Sequence, residues 1–170
     1  MDNHEQLLTT LADYLQAQSL VLSTAESCTA GQMIALLASI PGVGKLLESG
    51  YVVYSPEAKQ RILHVNPRTI AEFGLTSEEV ACEMAVGALK GGPANVAVAT
   101  TGVAGPDAVD GIAPGTVCLA WVFNHESGCV KFSETAHFSG DRAEVQVASS
   151  LYALTRIAHF HAQLRHRNAS

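Results

Sequence analysis

The sequence predicts one α/β domain: three layers, α/β/α, around a mixed sheet. Two patterns carry this expectation. Buried strand-like runs alternate with amphipathic helical runs along the front of the chain, and two β-rich runs follow each other near its end as a hairpin. The 170 residues, 48% of them apolar, suffice for one sizeable core. No internal repeat, linker or low-complexity stretch divides residues 1–170, so function is expected to reside in one unit.

Leu7, Leu8, Leu11, Tyr14 and Leu15 recur at helical spacing and predict an amphipathic helix over about residues 4–18. "LVLSTAE" follows as a short buried strand. "SCTAGQMIALLASI" is a helix with Ser27 or Thr29 as N-cap, ended by Pro41-Gly42. "ESGYVVYS" is aromatic and β-branched, hence a strand. Ser55-Pro56-Glu57 then opens a helix with a cap, a proline at its first position and an acid in its first turn. "TSEEVACEMAVGALKGG" begins with a capping-box-like pair, Thr76 and Glu79, and stops at two glycines before the strand "NVAVATT". "GTVCLAWVF" and "VKFSETAHF" form the hairpin through "NHESG". "SGDRAEVQVASSLYALTRIAHF" is a single closing helix, capped by Ser139 or Asp141, and the polar tail over 161–170 is expected to fray.

Composition excludes several functions. A formal charge of −6 leaves no basic face for a phosphate backbone, which argues against nucleic acid as a partner. No run of about 18 apolar residues and no basic-then-apolar leader occurs, so no membrane association and a cytoplasmic location are expected. The cysteines Cys28, Cys82, Cys118 and Cys129 include no C-x-x-C pair and read as reduced thiols. Cys28 sits before a helix, where a thiol can be activated, yet no histidine lies near it in sequence. His159, His161 and His166 lie at the chain end with poor mutual geometry, and Asp107 and Asp110 have no third carboxylate, so no metal is inferred.

Ligands of open α/β sheets bind outside the carboxyl ends of the strands. Three segments converge there: "AESCTAG", "VVYSPEAK" and "ATTGVAGPDAVDGIAPG". Tyr54 and Lys59 would arrive at one place, and burial would lower the lysine pKa toward that of a usable base; a surface lysine is the competing reading. Their spacing across a proline-marked boundary is not the Y-x-x-x-K of short-chain dehydrogenases, which removes support for a nicotinamide redox reading. Arg142, after Gly140, offers a bidentate fork to an anion or an exposed ion-pair partner.

Taken together, "TAESCTAGQMIALL", "IPG", "GYVVYSPEAKQRILHV", "ATTGVAGPD", "PGTV" and "FSGDRAEV" resemble the CinA C-terminal-domain family, over about residues 20–147. That family includes the nicotinamide-nucleotide amidohydrolases called PncC. The resemblance implies hydrolysis of nicotinamide mononucleotide to nicotinic acid mononucleotide and ammonia, without metal or other cofactor. It implies that Lys59 and Tyr54 shuttle protons, that Ser27 and Thr101 donate or accept hydrogen bonds, and that Arg142 or the glycine-rich loop, with Gly102 and Gly105, holds the phosphate. A pyridine nucleotide is thus the expected partner, and a homo-oligomer the expected assembly.

The chain departs from the family pattern where P-G-S-S is usual. It reads Pro41-Gly42-Val43-Gly44, so Gly44 stands where the family's serine nucleophile is expected. Ala30 replaces a usual glycine, the loop reads "DAVDGIAPG", and Gln146 stands where arginine is frequent. Ser27, Ser49, Ser55 or a water activated by Lys59 are the available substitutes. Two readings follow: an amidohydrolase, or a catalytically impaired paralogue that keeps nucleotide binding.

Overall fold

Alternating hydrophobic runs become, in the computed structural model, a five-stranded sheet covered on both faces; the structure describes residues 3–126 and 128–168. The elements are α1 (Asn3–Ala17), β1 (Leu22–Glu26), α2 (Gln32–Ala38), a 3₁₀ turn (Val43–Lys45), β2 (Leu47–Val52), α3 (Pro56–Leu63), α4 (Pro67–Phe73), α5 (Glu78–Leu89), β3 (Val96–Gly102), β4 (Thr116–His125), β5 (Gly128–His137), α6 (Arg142–Thr155) and α7 (Ile157–Asn168). Strand order is β2-β1-β3-β4-β5. β2, β1 and β3 run parallel, and β4 and β5 return antiparallel, which makes the sheet mixed.

The two faces bury different side chains. One packs Leu22, Val98, Leu119, Trp121 and Phe123 against α1, α2, α6 and α7, and the indole N–H of Trp121 donates to the Ala153 carbonyl at 2.7 Å, fastening α6 to the sheet. The other face is small: Ala97, Ala99 and Ala120 meet Ala81, Ala85 and Ala88 of α5. Small residues let α5 lie close to the strands and to α3. A β-carbon at Gly87 would run into the Leu63 carbonyl.

Several helix boundaries correct the sequence expectation. α2 starts later, with Gly31 at its N-cap and no side-chain cap, because Ser27 and Thr29 are committed elsewhere. α5 is capped by Ser77, which accepts from Val80 N–H, rather than by Thr76. The closing helix is two helices, broken at Arg156; Ser149, Ser150 and Thr155 return their hydroxyls to carbonyls one turn back, a pattern that bends helices. Asp141 caps α6 in a full capping box with Glu144. Residues 161–168, expected to fray, carry helical backbone, with Leu164 buried and His161 bonded to the Tyr14 hydroxyl at 2.9 Å; residues 169 and 170 lie outside the described residues. α4 was not anticipated, although Asn66 before Pro67 is a cap-and-proline start of the same kind as Ser55-Pro56.

An alanine in a helix interior is ordinarily favoured over glycine by about 1 kcal/mol. At Gly87 the sign should reverse, because the added methyl must push α3 and α5 apart. Gly87→Ala is expected to destabilise the fold by about 1–3 kcal/mol in urea unfolding.

Candidate functional site

The parallel strands β1, β2 and β3 deliver their carboxyl ends to one edge. The chain leaves β1 toward β2 on one side and β3 on the other, so a crevice opens at this switch point. A cavity of about 420 Å³ lies there, lined by Ser27 and Cys28 after β1, Tyr54 and Lys59 after β2, Phe73 to Thr76 before α5, Thr101 to Gly105 after β3, parts of the following loop, and Arg142.

Lys59 sits in the first turn of α3 and is 1% exposed. Its amine lies 2.9 Å from Ser27 Oγ, 3.0 Å from the Val53 carbonyl and 3.2 Å from the Tyr54 carbonyl. Among the described residues no carboxylate contacts it. Burial lowers its pKa from the ordinary 10.5, with the nearby Cys28 thiol pulling the other way. A neutral amine has two N–H groups and one lone pair. The two carbonyls can only accept, so they take the hydrogens and leave the lone pair facing the Ser27 hydroxyl. That is the geometry of a base beside a nucleophile.

Ser27 is held by what precedes it. Glu26, fully buried at the end of β1, accepts five hydrogen bonds: from the hydroxyls of Thr24 (3.1 Å) and Thr29 (2.7 Å), and from the main-chain N–H groups of Gly31 (3.0 Å), Met33 (3.0 Å) and Ile34 (3.1 Å). The Thr29 hydroxyl also meets that of Thr100 at 2.8 Å, tying the turn to β3, and Ser27 N–H donates to the Thr100 carbonyl at 3.0 Å. Ala30 and Gly31 take positive φ, 52° and 92°, to bring the chain round the carboxylate. Sequence reasoning passed over Glu26. A charged residue ending an apolar strand was the signal available.

The remaining candidates fall as follows. The Tyr54 side chain is 55% exposed, and its hydroxyl accepts from Arg142 at 2.6 Å; only its carbonyl meets Lys59. A direct Tyr54 to Lys59 proton pair is therefore not what the side chains form. Arg142 also donates to the Gly105 carbonyl at 2.6 Å, joining the segments after β2 and β3 across the cavity mouth. Thr101 donates to the Leu75 carbonyl at 2.8 Å and is buried, so its hydroxyl secures the wall. Gly102 is needed bare, since a β-carbon there would strike Thr116 and Val117 of β4. Gly105 turns the chain at φ 101°.

Gly44 does not line the cavity; it lies in the 3₁₀ turn, and a β-carbon added there meets nothing within 4 Å. Cys28 lines the cavity, but burial pushes its thiol up to about 12, against the opposing pull of its own N–H and of Lys59, so it is a poor thiolate at neutral pH. Gln146 donates to the Cys28 carbonyl at 2.8 Å, which gives the residue a packing role. No group of three or more potential metal ligands is found among the described residues. No helix is long and apolar enough to cross a membrane.

Fold and site thus define a class: an α/β/α domain with a ligand cavity at its parallel strand ends, built round a desolvated lysine that faces a serine. Residues 4–161 match the model of the CinA C-terminal domain. The nicotinamide-nucleotide amidohydrolase PncC of Escherichia coli K12 is 39% identical over 150 residues, 88% of this chain and 89% of that one. Protein YdeJ of the same strain is 34% identical over 157 residues, covering 92% and 89%. A crystal structure of the competence damage-inducible protein A from Klebsiella pneumoniae superposes with a TM-score of 0.88 at 33% identity, covering 95% and 98%. The chain belongs to the CinA C-terminal domain family, and the match extends beyond residues 20–147 at both ends.

Two outcomes follow from this site. Replacing the Glu26 carboxylate by an amide sets an NH₂ group against N–H donors, so Glu26→Gln should cost at least about 2 kcal/mol in denaturant unfolding. For Lys59, the unfolded chain takes up a proton below 10.5 while the native amine stays neutral until its lower pKa. The unfolded state binds more protons in that window, so stability falls as pH drops through it and is level below. Lys59→Met should remove this slope, seen as a difference in urea midpoints that widens in favour of the variant from pH 10.5 downward.

Proposed function

We propose that this protein hydrolyses the carboxamide of nicotinamide mononucleotide, with Ser27 as nucleophile and Lys59 as its base. The observation that carries the reading is the 2.9 Å contact between a buried amine of lowered pKa and the Ser27 hydroxyl, in a cavity at the strand ends. The activity for which the PncC relative is named supplies the substrate class.

In this reading Ser27 Oγ attacks the carboxamide carbon and passes its proton to Lys59. The lysine returns that proton to the departing nitrogen, so ammonia leaves and an ester on Ser27 remains. A water then attacks the ester and gives its proton to Lys59, which returns it to Ser27 Oγ as the acyl–oxygen bond breaks, and nicotinic acid mononucleotide departs. Arg142, whose guanidinium keeps N–H groups beyond those given to Gly105 and Tyr54, and the loop 102–115 hold the phosphate. The reaction would serve pyridine-nucleotide salvage in the cytoplasm.

Gly44 motivates the second reading, a paralogue that binds the nucleotide without turning it over. It loses weight because a serine is already in contact with the lysine, and Gly44 does not line the cavity. Ammonia release from nicotinamide mononucleotide separates the two. Steady turnover is expected from the unaltered protein, with Ser27→Ala and Lys59→Met lowering kcat by at least about 10³-fold and Gly44→Ser leaving it within a few-fold. No turnover until Gly44→Ser is introduced would establish the second reading instead. The kcat/KM profile should lose activity on its acid side at the lowered pKa of Lys59, below the ordinary lysine value.

A further inference from the structure

Most main-chain N–H groups in the turn from β1 to α2 can be followed to an acceptor. Ser27 N–H goes to the Thr100 carbonyl, Ala30 to Ser27, Gln32 to Thr29, and Gly31, Met33 and Ile34 to the Glu26 carboxylate. Two are left. Among the described residues the N–H groups of Cys28 and Thr29 have no acceptor in another residue. Both residues are buried, Cys28 5% and Thr29 1% exposed, where an unpaired donor is costly and rare.

The directions of these two groups follow from peptide planarity, because C=O and N–H of one trans unit point opposite ways. The Ser27 carbonyl turns inward to Ala30 N–H, so the Cys28 N–H points out of the turn, beside a thiol that lines the cavity. The Cys28 carbonyl is held by Gln146 of α6 at 2.8 Å, so the Thr29 N–H points away from that helix, and Thr29 is not among the residues that line the cavity.

We propose that the main-chain N–H of Cys28, the residue after Ser27, is an oxyanion donor of this site. The inference rests on Ser27 being the nucleophile and adds the group that stabilises the charge. When Ser27 Oγ bonds to the carboxamide carbon, the C=O π pair moves to oxygen and the serine proton passes to Lys59. The new alkoxide lies next to the N–H of the residue after the nucleophile, the position used at strand-to-helix nucleophile turns. Glu26 is then a positioning residue, since it occupies the other N–H groups of the turn and keeps them from the substrate.

The test is a crystal structure with pyridine-3-boronic acid, in which a Ser27 Oγ–B bond forms, boron becomes tetrahedral and the serine proton goes to Lys59. A boronate oxygen within about 2.7–3.1 Å of Cys28 N is expected. A boronate on Ser27 whose oxygens face other donors overturns the assignment while leaving the nucleophile in place. Absence of any bond to Ser27 overturns both. An adduct with the expected contacts but no ammonia release from nicotinamide mononucleotide supports the assignment and counts only against the substrate. A kinetic arm replaces residue 28 by lactic acid, whose ester oxygen removes the N–H, against Cys28→Ala. A fall in kcat of about 10²–10³ with little change in KM is expected, and equal kcat in the two proteins overturns the role of Cys28.

Discussion

A carboxylate that no solvent reaches organises this domain. Glu26 lies at the end of a strand buried on both faces, where an unsatisfied charge would cost several kcal/mol. It is tolerated because five donors converge on it, three of them the main-chain N–H groups that α2 would otherwise leave without acceptors at its start. One group therefore caps a helix, folds the turn before it and, through Thr29 and Thr100, binds that turn to the central strand. Ser27 inherits its position from this arrangement.

The lysine opposite is handled in the contrary way. Glu26 has its charge surrounded by donors, whereas Lys59 is offered two carbonyls and a hydroxyl and no carboxylate. Burial without a counter-charge disfavours the ammonium form, and the amine becomes a base. One group ends β1 and the other sits in the first turn of α3, after the neighbouring β2; their treatments are opposite, and the serine between them has a rigid support on one side and a proton acceptor on the other.

The walls of the cavity are joined by a different device. Arg142 opens α6 under a capping box whose acids, Asp141 and Glu144, are spent on main-chain N–H groups and leave the guanidinium to bridge the Tyr54 hydroxyl and the Gly105 carbonyl. The segments after β2 and β3 are thereby joined through one side chain. Thr101, bonded to the Leu75 carbonyl, does the same for the wall in front of α5. Residues distant in sequence thus share one small volume because the parallel strands end together.

Much of the fold was written locally. Apolar spacing, the Ser55-Pro56 start and the hairpin runs are short-range signals that depend on steric and hydrophobic preferences of neighbouring residues, and they placed the layers and the three converging segments. Short-range signals also misled: Ser27 and Thr29 are good caps by type, but their hydroxyls found partners in Lys59, Glu26 and Thr100. The break at Arg156 and the start of α5 at Ser77 turned on which hydroxyl reached which carbonyl or N–H group. What the chain by itself determined was the order of elements and the supply of a serine, a lysine, a tyrosine and an arginine near strand ends. Tertiary structure alone decided that the lysine would lose its solvent and face Ser27, that the tyrosine would turn to the arginine, and that Gly44 would lie outside the cavity. Desolvation and hydrogen-bond choice belong to the assembled neighbourhood, and no spacing along a chain encodes how much water a folded site excludes.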